Sequence, residues 1–208
     1  MKIGILTLPF NNNYGGMLQA YALKTFLENL GHEVWIINRK PNKVFFLRKC
    51  ISTFKYRIKN LDFKLYDLEY VNQHMNSFKE NYLSPFTIPY YTSSELYKCK
   101  DYNFDLYIVG SDQVWRRTYI DSRMKDYFFD FLNDSPIKRI SYAASFGCAK
   151  NEYSKEDIEI CRPLLEQFSA ISVREKSGIN LIENVFQLSN HNIRCVLDPT
   201  FLVNIEDY

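Results

Sequence analysis

The 208-residue sequence contains no C-x-x-C pair, no G-x-G-x-x-G run and no apolar stretch near the length of a membrane span. Each absence excludes something. The five cysteines (Cys50, Cys99, Cys148, Cys161 and Cys195) are odd in number and lack metal-ligand spacing. That argues against a disulfide framework and a structural zinc site, and free thiols suit a reducing compartment. The apolar opening at residues 3–8 is too short for a signal-peptide core, and no small-residue cleavage site follows it. A spanning helix needs about 20 apolar residues in succession. A soluble, cytoplasmic protein is the expectation. Charge is also scarce in its net form: a formal balance of +2 provides no global field to draw in nucleic acid.

What the chain has in quantity is aromatic surface, with Tyr and Phe present sixteen times each. Most of these rings should pack a core, and some tyrosines should line a polar ligand site, since the ring is apolar and its tip hydrogen-bonds. KIGILTL at residues 2–8 reads as a strand buried on both faces. Ala20, Leu23, Phe26, Leu27 and Leu30 then keep helical spacing up to Gly31, a C-terminal cap, and EVWIIN at residues 33–38 is a second strand. Further strands are read at 104–110, 137–147, 170–173 and 194–197, with helices from Ser154 to about 168 and over 174–188. Between them, residues 40–100 read as a helical insertion, with helical spacing at Ile51, Phe54, Ile58 and Leu61 and again over 71–78. Alternating strands and helices predict an α/β fold: a Rossmann-like three-layer domain with a mostly parallel sheet.

Ligands of such sheets bind beyond the carboxyl ends of the strands. Four loops sit there: NNNYGG, GSDQVW, SFG and REKSG. In the first, Gly15 and Gly16 permit positive φ and close approach of a ligand, and the next helix aims unpaired N–H groups at the gap. Asn13 and its neighbouring asparagines both donate and accept, which suits a hydroxyl-rich partner, although an ordinary capped turn has the same composition. The second strand runs into Asn38-Arg39 and no ribose-binding acid, which argues against a dinucleotide enzyme. In GSDQVW, Asp112 follows Gly110 and Ser111 directly after a buried strand. Rigid backbone there would aim its carboxylate at the cleft as a general base or hydroxyl clamp; capping a following helix is the plainer alternative. Trp115 either stacks on a sugar ring or packs. Arg174 offers a planar fork for a carboxylate or phosphate, or else pairs with Glu175, Asp198 or another acid. Asp198-Pro199 reads as a turn that fixes the exit of the chain.

Two further features carry less. His32, His74 and His191 adjoin none of these loops. Residues 39–59 hold eight basic side chains and no acid, interleaved with Phe45, Phe46 and Phe54. A solvated helix face is the plain reading, and contact with anionic lipid or a lipid-linked glycan carrier is the sharper one.

Five stretches stand in fixed order: N-Y-G-G-M-L-Q-A-Y-A-L, D-L-Y-I-V-G-S-D-Q-V-W, I-S-Y-A-A-S-F-G, I-S-V-R-E and V-L-D-P-T-F-L. Together they resemble the polysaccharide pyruvyl transferase family over nearly the whole chain. The resemblance implies transfer of the enolpyruvyl unit of phosphoenolpyruvate to two hydroxyls of a sugar in a surface polysaccharide. The product is a cyclic pyruvate ketal, phosphate is released, and no metal or cofactor is needed beyond the donor substrate. An acid must protonate the alkene carbon, a base must take a hydroxyl proton, and cationic or N–H donors must hold carboxylate and phosphate. By the same resemblance Asp112 is the base or acceptor clamp and Arg174 the anion ligand. Tyr14, Gly15, Gly16 and Gln19 shape the first lip, and Ser145 stands on a neighbouring loop. The family's likeness to GT-B enzymes implies a second α/β domain after D-P-T, whereas the sequence stops at Tyr208. This chain is then expected to be the acceptor-side half, nearly inactive alone and completed by further chain or by a second copy. A nucleotide-sugar glycosyltransferase half and a non-catalytic binding module are the alternatives.

Overall fold

The computed structural model describes residues 1–10, 13–41, 68–133, 135–188 and 192–207. The helix expected around Ile51 to Leu61 and most of the basic stretch lie outside those residues. Six strands, Lys2–Leu6 (β1), Glu33–Ile36 (β2), Leu106–Val109 (β3), Lys138–Ala144 (β4), Ala170–Val173 (β5) and Ile193–Cys195 (β6), form one sheet. Its order is β2-β1-β3-β4-β5-β6, and every pairing is parallel. Parallel neighbours need crossovers. Tyr14–Asn29 (α1) provides the one from β1 to β2, and Leu68–Phe78 (α2) lies on the path from β2 to β3. Lys155–Leu165 (α3) joins β4 to β5, and Lys176–Asn184 (α4) joins β5 to β6.

Side chains of a strand alternate between faces, so each strand feeds two cores. Ile3 and Ile5 of β1, Val34 and Ile36 of β2 and Ile108 of β3 bury against Met17, Ala20 and Leu23 of α1 and Met75 of α2. On the other face, Leu6, Tyr107, Val109, Ile171 and Val173 meet Leu164, Leu165, Leu181 and Ile182 of α3 and α4 and a large aromatic group. The result is a three-layer, Rossmann-like α/β domain.

The helix ends follow from local chemistry. The Asn13 side chain caps α1 by accepting from the Gly16 N–H at 3.1 Å. At the other end Gly31 takes φ +83°, its N–H reaches the Glu28 carbonyl, and the His32 N–H reaches that of Leu27. This double bond with a left-handed glycine is a Schellman stop. Ser154 and Asp157 form a reciprocal capping box at the start of α3.

The first two strands end two residues short of expectation, because their chains leave the ladder for other partners. The Thr7 hydroxyl accepts from the Gln19 amide at 3.1 Å, and the Asn38 N–H donates to the Thr87 hydroxyl at 3.0 Å. Beyond β2 the chain runs beside residues 86–90 through isolated bridges at Ile36–Phe86 and Arg39–Tyr90.

The stretch after Trp115, with no regular periodicity in the sequence, folds as tight 3-10 turns over Asp121–Phe128 and Asp130–Leu132. It drives Tyr127, Phe128, Phe129 and Phe131 into the core, which accounts for much of the aromatic content. Trp115 belongs to that core. Its ring has no exposed surface, stacks on Phe128 at 5.5 Å and donates its indole N–H to the Tyr127 carbonyl at 3.0 Å. A sugar-stacking role for Trp115 is therefore corrected: the ring has no free face to offer.

The thiols Cys99 and Cys161 are buried, and burial pushes both up to about 12. No helix among the described residues is long and apolar enough to cross a membrane.

Because Trp115 is so thoroughly enclosed, Trp115→Ala is expected to cost roughly 3–5 kcal/mol through lost transfer energy and cavity formation. Urea unfolding of the two proteins measures this; a loss below about 1 kcal/mol would contradict the packing.

Candidate active site at the carboxyl edge of the sheet

The bend after β3 starts at Gly110, whose φ of +123° few side chains could adopt. A Cβ there would lie 2.2 Å from the Tyr142 carbonyl oxygen of the neighbouring strand, so glycine is also the only residue that fits. The Gly110–Ser111 peptide is cis. Ser111 is completely buried and holds four pieces of the edge together. Its N–H donates to Gln19 Oε1 at 2.8 Å, and its carbonyl accepts from the Thr7 hydroxyl at 3.4 Å. Its own hydroxyl lies 3.1 Å from both the Ala143 carbonyl and Asp198 Oδ2. Gln19 is 2% exposed and also donates to the Thr7 hydroxyl and, at 2.7 Å, to the Gly16 carbonyl. Gln19, expected to shape the substrate lip, and Ser111 of the GSDQVW loop are instead internal ties between the two lips.

That tie places Asp112. The residue is half-buried, with φ +70° and Oδ1 accepting from the Gln113 N–H at 2.8 Å. The next helical turn, Arg117–Ile120, begins five residues on, so Asp112 closes a local turn and caps no helix. Its Oδ2 lies 3.4 Å from the Asn13 amide nitrogen, and its carbonyl accepts from the Ser145 N–H at 3.0 Å. Gly16 makes room for this meeting, since a Cβ there would stand 2.9 Å from Asn13 Nδ2 and 3.3 Å from Asp112 Oδ2. Asn13, Tyr14 and Gly15 are exposed beside it, forming the open lip.

Arg174 follows β5 and donates to Asp198 Oδ2 at 2.9 Å. The same carboxylate oxygen meets the Ser111 hydroxyl, while Oδ1 accepts from the N–H and hydroxyl of Thr200 at 3.1 and 3.0 Å. One carboxylate thus stands between the guanidinium and the residue next to Asp112. Both side chains of the pair are partly open to solvent. The structure brings Asn13, Gly16, Asp112 and Arg174 to one edge and leaves Ser145 behind it. Ser145 is 1% exposed, donates to Glu175 Oε1 at 2.9 Å and accepts from the Gly147 N–H. Glu175 also accepts from the Phe146 N–H at 2.9 Å, which locks the SFG loop. Ser145 is a brace with no surface for a ligand.

Three participants escaped the sequence reading as members of the site: Asp198, Glu175 and Arg116. In the sequence Glu175 reads only as a possible ion-pair partner of Arg174, and Asp198 as such a partner or as part of the exit turn. Arg116 donates to Gln113 Oε1 at 2.9 Å, lies over the Tyr119 ring at 4.4 Å and pairs with Glu152 at 3.8 Å, so its charge is partly matched beyond Asp112. The only sequence signal for it was its place three residues after Gln113. Chemically, the edge offers an acceptor carboxylate, a neutral amide and a guanidinium on rigid backbone. Among the described residues, no three His, Cys, Asp or Glu side chains gather closely enough to hold a metal ion.

The sequence model of the polysaccharide pyruvyl transferase family matches residues 13–208. The chain belongs to the polysaccharide pyruvyl transferase family. No curated protein matches it significantly. The family match starts at Asn13 and so takes in the open lip, the GSDQVW bend, Arg174 and Asp198 together. In this pyruvyl transferase family member the bend has no slack at Gly110. Gly110→Ala is expected to cost roughly 3 kcal/mol or more, from backbone strain and from the collision with Tyr142. Thermal unfolding tests it, and an unchanged midpoint would contradict the geometry described for the bend.

Proposed function

We propose that the chain works in the transfer of pyruvate from phosphoenolpyruvate to two hydroxyls of a sugar, forming a cyclic ketal and releasing phosphate. The observation that supports it best is the joint placement of Asp112 and Arg174. They share one edge through Ser111 and Asp198, with Asn13 3.4 Å from the Asp112 carboxylate, in a member of this family. Asp112 takes the proton of the attacking hydroxyl as its oxygen bonds to the central carbon of the enolpyruvyl unit. The methylene carbon gains a proton, becoming the methyl group of the ketal. Departure of phosphate then lets the second hydroxyl close the ring. Arg174 holds the carboxylate or phosphate: a guanidinium carries five donors, and Asp198 fixes its orientation through Nη1. Asn13 orients the acceptor hydroxyls.

The acid that protonates the methylene carbon is assigned to a second body facing this edge, either further chain or a second copy. Leu197, Phe201 and Ile205 are 67, 72 and 88% exposed, an apolar rim that favours such a neighbour. A cytoplasmic setting and contact of the basic segment 39–59 with anionic lipid, through side chains other than the buried Arg39 and half-buried Lys40, belong to the same proposal.

The test is phosphate release from phosphoenolpyruvate in the presence of sugar acceptors, using the complete protein system. Asp112→Asn is expected to lower kcat about 100-fold or more while leaving the unfolding midpoint near the wild-type value. A variant with wild-type turnover overturns the assignment. Thermal stabilisation by nucleotide sugars and none by phosphoenolpyruvate would point to glycosyl transfer instead.

A further inference from the structure

Glu175 opens α4 and gives the helix no side-chain cap. It stands at the N-cap in extended backbone, where a short polar side chain would accept from the first helical N–H groups, yet it makes no such bond. The acid reaches sideways instead, to the neighbouring strand end. Its Oε1 accepts from the Ser145 hydroxyl and from the Phe146 N–H, both at 2.9 Å, and Ser145 Oγ accepts in turn from the Gly147 N–H at 2.9 Å. Three consecutive residues of the SFG loop thus hang on one carboxylate oxygen. Both donors to it are neutral, and among the described residues Glu175 has no cationic partner. What it supplies is an acceptor in a fixed place, not one half of an ion pair.

The loop held in this way holds the bend that carries Asp112. The Ser145 N–H donates to the Asp112 carbonyl at 3.0 Å and its carbonyl accepts from the Trp115 N–H at 3.1 Å, so one residue clasps the bend at both ends. Gly147 brings the loop against the side of the same bend: its φ is +71°, and a Cβ there would stand 2.5 Å from Gln113 Oε1. Gln113 in turn gives its N–H to Asp112 Oδ1 at 2.8 Å. Asp112 keeps a left-handed backbone, φ +70°, which a residue other than glycine retains only where its surroundings fix it. Arg174, the residue before Glu175, donates its N–H to the Ala144 carbonyl at 3.1 Å. Consecutive residues therefore carry the anion ligand and the brace of the base.

We propose that Glu175 is a positioning residue for Asp112. Its carboxylate sets the SFG loop, and Ser145 of that loop sets the bend from which the Asp112 carboxylate projects. Glu175 acts wholly through this relay and touches no reacting atom. The brace stands on geometry alone, and its consequence for turnover rests on the transferase reading.

Amide hydrogen exchange and kinetics on one set of variants test it. In Glu175→Ala the Ser145 N–H, bonded to the Asp112 carbonyl, and the Gln113 N–H, bonded to Asp112 Oδ1, are expected to exchange roughly tenfold faster, with Ile108 of β3 unchanged. Glu175→Gln keeps an Oε1 acceptor and is expected to match the wild type. Glu175→Asp, one methylene short of the loop, gives the alanine readings in a folded protein should Glu175→Ala not fold. In the complete protein system, Glu175→Ala is expected to lower phosphate release from phosphoenolpyruvate roughly tenfold, but less than about twofold in an Asp112→Asn background. A residue that acts through Asp112 has nothing left to act on there. Equal losses in the two backgrounds, unchanged exchange at Ser145 and Gln113, or a glutamine variant as impaired as the alanine variant would each overturn the proposal. A wild type that turns over no phosphoenolpyruvate ends the transferase reading, and the exchange measurement still decides the brace.

Discussion

Ser111 is the point on which the carboxyl edge depends. A small side chain with no exposed surface joins α1 through Gln19, the end of β1 through Thr7, β4 through Ala143 and the exit turn through Asp198. Ser111, Gln19 and Thr7 are buried enough that leaving one of their polar groups without a partner costs about 1–3 kcal/mol, while Asp198 stays partly open. The network is consequently close to all-or-none. It also converts separate strand-end loops into a single rigid frame, which is what a site needs if its groups are to stay within a fraction of an ångström of their working positions.

Beneath that polar knot lies an aromatic floor. Trp115 returns its backbone N–H to the Ser145 carbonyl at 3.1 Å, and the Tyr153 hydroxyl donates to the Trp115 carbonyl at 2.7 Å. The tight turns after Trp115 are thereby fastened to the SFG loop, so packing energy supports the position of Asp112 from below. The Arg39–Asp126 pair, with both side chains almost fully buried, fixes the end of β2 to the same floor. Buried ion pairs add little net stability, and positioning is the better account of this one.

The strands and long helices were legible because their signals are local. Apolar runs mark buried parallel strands, and Asn13, Gly31 and Ser154 punctuate the helices as their side chains and backbone freedom require. The glycine-rich bend and the acid after it were also legible, since position beyond a buried strand dictates orientation. What the sequence hid was burial. Trp115, Gln19, Ser111 and Ser145 have residue types suited to ligands, yet all are 2% exposed or less. Each has a partner 12 to 104 positions away in the chain, and no local pattern reveals such pairings.

The most direct measurement of the central claim is amide hydrogen exchange at Ser111. If its N–H is locked to Gln19 inside a buried network, it should exchange as slowly as the β3 amides of Ile108 and Val109, despite lying beyond the strand. Exchange at the rate of an ordinary surface loop would contradict the account.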